Sequence, residues 1–371
     1  MSIRILSALI FLLALFVTVP AAAQAIGGKP VVFPARSGAT ATLDIHAATD
    51  LPAMEPLLRD FQQAAPDITI NYFEYVTNDL YKAADEACRA GRTLGDILLS
   101  SSVDQLIKLA NDGCAAAHSS PETERAARWA TWRDEVFGFT YEPSIFVYDA
   151  RRVPPEDIPR SHADLAELLR RRIDFYRGRI GTYDIRLSGI GYLLAYSDAR
   201  QTTTVYGRLL ESMSRADVVT RCCNSEILEL ITSGQLYLGY NILGSYAYAA
   251  MLKNPNLKIV VPQDYTLVLR RGALISKDAP NLTAARQFLN YLLSERGQRV
   301  SRDKAFFFAE DGALPSGVDG PETLKESGVA RPIRIGPSLL AAQDQEQRRR
   351  FIADWADVLF GSARRQGGPK K

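Results

Sequence analysis

Apolar and polar positions follow two different periods along this chain. Thr42 to Ala47 (TLDIHA) alternates, as a half-buried strand does. From Met54 to Ala65 the apolar residues Leu57, Leu58, Phe61 and Ala64 recur at helical spacing, and Pro66-Asp67 ends the run. Ile68 to Tyr72 reads as the next strand. Thr77 or Asn78 then caps a helix running to about Arg89. Ile97-Leu98-Leu99 is a short apolar strand that ends in Ser100-Ser101-Ser102. Val103 to Asn111 places Val103, Leu106, Ile107 and Ala110 on one helical face and stops at Gly113. Strand and helix alternate three times, which predicts a parallel sheet covered by helices on both faces.

The pattern continues with two short strands, Val136–Thr140 and Ser144–Tyr148. A Pro-rich loop then leads to a Ser161-capped helix, Ala163–Arg172. Arg179–Thr182 reads as a strand, and Gly191–Tyr196 and Val205–Ser214 as helices. Gln235–Leu243 is a strand and Tyr246–Lys253 a helix. Leu257–Val261 and Thr266–Leu274 read as strands, and Ala284–Leu293 and Gln345–Phe360 as helices. Residues 26–40 are rich in Gly and Pro and read as a loose lead-in. Residues 362–371 (SARRQGGPKK) read as a disordered basic tail. No internal repeat is present.

The first 25 residues change the picture, because they read as an address rather than as fold. Arg4 precedes an apolar run from Ile5 to Val19. Pro20 breaks the run, and Ala21 to Ala25 offers small-x-small cleavage sites. At about 15 residues the run is short for a bilayer span of about 20. A cleaved signal peptide and a periplasmic protein are expected; an uncleaved anchor is the alternative. Export makes disulfides possible for Cys88, Cys114, Cys222 and Cys223. Cys88 and Cys114 can pair across a strand and a helix. The adjacent Cys222-Cys223 is left open among three connectivities and free thiols.

Composition adds exclusions. The 371 residues suggest two compact units, at roughly 100–200 residues each. Lys+Arg (44) nearly balances Asp+Glu (42), so no global field points to nucleic acid. The three histidines, His46, His118 and His162, are far apart, so no resident metal is expected. No G-x-S-x-G, H-E-x-x-H, G-x-x-x-x-G-K-[ST] or G-x-G-x-x-G occurs, and no catalytic residue or cofactor is assigned.

Ligand-binding candidates are clearer. Open α/β sheets bind ligands beyond the carboxyl ends of their strands, where loops enter helices with free N–H groups. Four loops fit: Ala48-Thr49-Asp50, Ser100-Ser101-Ser102, Gly181 to Asp184 with Ser188-Gly189 beyond, and Asn241 to Tyr246. Taken singly, such Ser and Asn residues are also ordinary helix caps. Arg186 is the charged partner for an anion. The runs Arg170-Arg171-Arg172 and Arg348-Arg349-Arg350 read as solvated helix faces.

Several stretches carry a family resemblance: Tyr75–Tyr81 (YVTNDLY), Gly95–Cys114 (GDILLSSSVDQLIKLANDGC), Trp132–Asp149 (WRDEVFGFTYEPSIFVYD), Arg179–Leu194 (RIGTYDIRLSGIGYLL), Leu238–Ala247 (LGYNILGSYA) and Pro262–Ser276 (PQDYTLVLRRGALIS). Over about Leu43 to Gly361 the chain resembles bacterial extracellular solute-binding proteins of ABC transporters, in the branch with ferric-ion binders and the phosphoglycerate transport regulatory protein. The resemblance implies an α/β type II periplasmic binding fold, in which two lobes joined by a two-strand hinge enclose a ligand cleft. The first lobe would be 41–140, completed by about 264–310. The second would be 141–263 with C-terminal helices in 311–361. The hinge strands would fall near 136–148 and 260–268. Thr49, Ser101 and Ser102 would face the cleft from one lobe, and Thr182, Tyr183, Ser188, Gly189, Asn241, Ser245 and Tyr246 from the other. Tyr141 would lie at the hinge.

The ferric binders use adjacent tyrosines, whereas here Tyr246 and Tyr248 flank Ala247. Two positions apart on a helix point roughly 200° from each other. The expected ligand is therefore a small phosphorylated or carboxylated organic anion, with ferric ion as the alternative and an exported enzyme as the rival from another class. The implied partner is an ABC permease or a membrane sensor histidine kinase, and the protein is expected to act as a monomer.

Overall fold

The structure, a computed structural model, describes residues 28–366; the expected signal peptide lies outside the described residues. The first sheet is opened by β1 (Val31–Phe33), β2 (Ala41–Ala48), α1 (Leu51–Ala64), β3 (Ile68–Glu74), α2 (Thr77–Arg89), β4 (Ile97–Ser100) and α3 (Val103–Asn111). The lead-in expected at 26–40 is therefore not wholly loose. Val31-Val32-Phe33 is β-branched and aromatic, pairs antiparallel with β3, and buries Phe33 in the core.

Next come α4 (Pro121–Arg125), β5 (Thr131–Trp132), β6 (Val136–Gly138) and β7 (Glu142–Asp149). The chain then forms α5 (His162–Arg171), α6 (Ile173–Tyr176), β8 (Ile180–Tyr183), α7 (Gly189–Gln201) and α8 (Thr203–Arg215). β9 (Val219–Arg221), α9 (Asn224–Thr232), β10 (Leu238–Leu243), α10 (Gly244–Lys253) and β11 (Leu257–Val260) follow. β12 (Thr266–Leu269), β13 (Gly272–Ile275), α11 (Leu282–Leu293) and α12 (Glu295–Val300) lead to a π-helical turn at Ser301–Ala305. β14 (Val318–Asp319), β15 (Ala330–Pro332), α13 (Ser338–Ala342) and α14 (Gln345–Gln366) close the fold. Because Ala363 to Gln366 are good helix formers, α14 runs on into the segment expected to be a disordered tail.

Two sheets result. One has the order β1-β3-β2-β4-β13-β6-β5, with β2 parallel to β3 and β4. The other has the order β14-β11-β7-β10-β8-β9, with β12 pairing β7 and β15. The chain crosses between them three times, and the first two crossings run side by side. Leu269 pairs with Glu142, Gly272 pairs with Gly138, and the Phe139 N–H donates to the Arg271 carbonyl at 2.9 Å. The second crossing thus lies at 269–272, a few residues beyond the expected 260–268, because β12 still belongs to the second sheet. A Cβ on Gly138 would stand 2.6 Å from Arg270 Cβ, so the crossing needs glycine there.

Three buried clusters hold the elements. One joins β2, β3, α1 and α11 through Leu43, Phe61 and Phe288. One joins α5, α7, α8 and α14 through Leu169, Tyr192, Trp355 and Leu359. The third runs across both sheets and includes Val103, Leu106, Ile145, Tyr183 and Leu243. Burying each large apolar side chain contributes about 1.5–3 kcal/mol. Cys88 and Cys114 are joined, and so are Cys222 and Cys223, which resolves the open connectivity. The first bond ties the end of α2 to the loop after α3 and stabilises by about 3 kcal/mol.

Candidate functional site

The loops that leave the parallel strands of the two sheets face one another. The Gly189 N–H donates to Thr77 Oγ1 at 2.8 Å, and Asn78 Nδ2 donates to the Leu187 carbonyl at 2.8 Å. The Tyr246 hydroxyl donates to Asp50 Oδ1 at 3.0 Å and accepts from the Asp50 N–H at 3.1 Å. A Cβ on Gly189 would lie 2.6 Å from Ser102 Oγ and 2.7 Å from Gln105 Nε2. Glycine at the start of α7 is what lets the two lobes meet so closely. The structure is therefore a closed one.

Two sets of polar groups occupy this interface. The hinge-side set centres on Arg271, which β12 and β13 bring into the interior with 1% of its surface exposed. Arg271 Nε donates to Glu142 Oε1 at 2.5 Å and its Nη1 to Thr49 Oγ1 at 2.9 Å. Ser245 Oγ donates to Glu142 Oε2, and Thr140 Oγ1 donates to Glu142 Oε1 at 3.3 Å. The guanidinium lies 5.2 Å from the centroids of both Tyr246 and Phe306. Burial works to lower the Arg271 pKa, but the Glu142 carboxylate outweighs it and holds the guanidinium above its ordinary value. Burial pushes the Tyr246 hydroxyl up as well, so it stays a donor to Asp50.

The second set lies at the seam between α2 and α3 on one side and α7 and α14 on the other. A cavity of about 540 Å³ opens there, lined by Asn78, Tyr81, Gln105 and Lys108 and, across the seam, by Arg186, Gln343 and Arg348. Arg89 and Arg349 line it too, paired with Asp85 and Glu346. Ser102 Oγ, Asp104 Oδ1, Gln105 Oε1 and Arg348 Nε are buried without a hydrogen-bond partner. Burial raises the Asp104 carboxyl to about 6, against the pull of Gln343 and Arg348.

The expected site residues divide between these places. Ser102 and Gly189 meet at the base of the seam. Ser188 caps α7 through the Gly191 N–H at 3.1 Å, and Ser101 is buried beside Ser102. Arg186 lines the cavity, grips Asp184 with Nε at 2.8 Å and Nη2 at 2.5 Å, and lies over Phe360. Thr49, Ser245 and Tyr246 belong to the hinge-side contacts. Thr182, Tyr183 and Asn241 are spent inside the second lobe: on the Tyr240 carbonyl at 3.2 Å, on Asn224 at 2.5 Å, and on Asp198 at 2.7 Å. Tyr141 is buried, with Arg270 at 6.0 Å from its ring, and burial pushes its hydroxyl up to about 12. His46 hydrogen-bonds the Tyr75 hydroxyl at 2.8 Å, and burial lowers its imidazole to about 4.

Gln105, Arg271, Glu142 and Arg348 were not among the expected residues. Arg271 carried a readable signal, a charge inside the apolar run LVLRRGALI. Arg348 carried none. Its neighbours Arg349 and Arg350 are exposed and share Glu346 at 2.8 Å, as a solvated run would. Arg348 instead turns inward over the Tyr192 ring at 4.8 Å.

Two α/β lobes, a paired-strand crossing and a polar interface between facing loops define a two-lobe periplasmic binding protein of type II. The chain belongs to the bacterial extracellular solute-binding proteins, whose family model matches residues 19–307. The substrate-binding protein of an ABC transporter from Agrobacterium tumefaciens superposes with a TM-score of 0.81 at 33% identity, over 89% of this chain and 98% of that one. AfuA from Actinobacillus pleuropneumoniae, with exogenous fructose-6-phosphate bound, gives 0.67 at 16% identity, over 86% and 99%. Iron-bound HitA from Pseudomonas aeruginosa gives 0.61 at 17%, over 82% and 98%. These last two show a shared fold. No curated protein matches the chain in a sequence comparison.

Proposed function

We propose that this protein, a solute-binding protein of the ABC-importer type, captures a small organic anion bearing phosphate or carboxylate between its lobes. The observation that carries this reading is the seam: a cavity lined from both lobes, in whose wall Gln105 and Arg348 hold buried polar atoms that the protein itself leaves unpaired. Buried polar atoms are nearly always satisfied, so a cluster of orphans beside a cavity marks where a ligand completes them. Ser101, Ser102, Arg186, Ser188 and Gly189 supply the contact surface. Thr49, Ser245 and Tyr246 make the hinge-side contacts, while Tyr141, Thr182, Tyr183 and Asn241 hold the walls. A signal peptide directs the chain to the periplasm. There the monomer hands its solute to a permease or reports it to a sensor kinase, doing no chemistry on it.

The ferric alternative finds less support in the side chains. The Tyr246 hydroxyl is engaged with Asp50, whereas Tyr248 packs its ring on Phe307 at 5.0 Å, on another face of α10. A thermal-shift panel of phosphoglycerates, sugar phosphates, phosphonates, di- and tricarboxylates, orthophosphate and ferric citrate tests the reading. A ligand at about 100 times its Kd stabilises by about 2.7 kcal/mol, so an organic phosphate or carboxylate should raise Tm with concentration. A shift with ferric citrate alone would overturn the anion reading.

A further inference from the structure

We propose that Gln105 and Arg348 read two different groups of one solute: Arg348 takes its anionic group and Gln105 accepts from its hydroxyl. The ligand class is thereby narrowed to hydroxylated organic phosphates or carboxylates. The inference rests on the reading of the cleft as an organic-anion site.

The hydrogen-bond network fixes the polarity of Gln105. The Leu187 main-chain carbonyl can only accept, so the Asn78 amide must turn its NH₂ toward it. Asn78 Oδ1 then faces Gln105 and accepts from Gln105 Nε2 at 2.8 Å. That leaves Gln105 Oε1 as a buried acceptor without a donor, on a residue only 3% exposed that lines the cavity. On the preceding residue, Asp104 Oδ1 is a second buried acceptor without a donor, its other oxygen held by Gln343. Ionised oxygens offer these atoms only lone pairs; a hydroxyl offers the missing hydrogen.

Arg348 has the opposite need. The other cations of the cavity already hold a carboxylate: Arg89 with Asp85, Lys108 with Asp112, Arg186 with Asp184 and Arg349 with Glu346. Their charge is already met within the protein. Among the described residues no carboxylate lies within ion-pair distance of Arg348, its Nε is buried and unpartnered, and Tyr192 holds its guanidinium plane in place. A planar fork of free donors suits a carboxylate or phosphate. Gln105 stands on α3 and Arg348 on α14, so a solute satisfying both bridges the seam and favours closure.

Calorimetric titration of the mature protein tests this with matched probes. Glycerol 3-phosphate, glucose 6-phosphate, 3-phosphoglycerate and gluconate carry both groups. Methyl phosphate, as its dianion at pH 8, and propionate carry only the anion, and glycerol and glucose only hydroxyls. At least one probe with both groups should bind, and its single-function counterparts should bind at least about tenfold more weakly. Arg348→Met and Gln105→Met should each weaken that probe by about 10–100-fold, as loss of charge-assisted or buried hydrogen bonds does. Arg348→Lys, which keeps the charge but not the fork, should fall between. Equal binding of methyl phosphate or propionate would overturn the hydroxyl half. A probe whose affinity is unchanged in both Met variants would overturn the inference and leave the anion reading standing. Failure of every organic anion to bind the wild-type protein would overturn both.

Discussion

The hinge-side and seam sets lie in one interface and differ in a single respect. Around Arg271 and Glu142 each polar group finds its partner within the protein: Thr140, Thr49 and Ser245 complete the pair. At the seam, Ser102, Asp104, Gln105 and Arg348 keep unused hydrogen-bonding capacity, and Gln105 and Arg348 line a cavity. Charge and burial are common to both, so neither marks the ligand side. Unspent capacity does. A satisfied buried network fixes the relation of the lobes, whereas an unsatisfied one is costly unless something else completes it.

Breaking the hinge set should have the largest effect. Glu142→Gln leaves a buried guanidinium without its counter-charge and should cost about 3–5 kcal/mol in chemical denaturation. A loss below about 1 kcal/mol would erase the contrast between the two sets. At the seam the sign should reverse. Folded Asp104 titrates at about 6 against an ordinary 3.8, so the folded state binds the proton more tightly than the unfolded chain. Its contribution to stability is therefore greatest below about pH 4, declines through pH 6, and is absent above. Asp104→Asn should raise stability at pH 7 by about 1–3 kcal/mol and flatten the melting profile between pH 4 and 6. A profile unchanged in that window would contradict the burial assigned to this carboxyl. Gly189→Ala sharpens the comparison from the packing side. Its methyl meets Ser102 and Gln105, and should cost about 1–3 kcal/mol or hold the lobes apart, which small-angle scattering would register as an increased radius of gyration. Arg348→Met should have the smallest effect, with stability within about 0.5 kcal/mol of wild type in the absence of solute.

Much of the fold could be read locally. From β2 to α3 the pattern of apolar positions gave type and order: β3, α1 and α2 bury one face and show its period, while β4, buried on both faces, shows a continuous apolar run. β1 escaped, since only pairing with β3 makes a strand of a Gly- and Pro-rich segment. β9 and α9 escaped because a three-residue strand carries too little pattern. The site was legible where it depends on helix starts, as at Ser102 and Gly189. It was illegible where it depends on what a side chain fails to meet. The sequence run Arg348-Arg349-Arg350 holds two solvated arginines and one inward one, and only the packing of α14 over Tyr192 separates them. The pairing of Cys222 with Cys223 had the same character, open in sequence and decided in three dimensions.

The most direct test sets one variant from each set against the same titrant. Thr49→Val removes a hydrogen-bond acceptor of Arg271, and Arg348→Met removes the unpaired guanidinium. Titration calorimetry of wild type and both variants with the tightest-binding organic phosphate or carboxylate should leave the affinity of Thr49→Val within about threefold of wild type and lower that of Arg348→Met by about 10–100-fold. Loss of affinity in Thr49→Val with none in Arg348→Met would place the solute against the hinge and contradict the account.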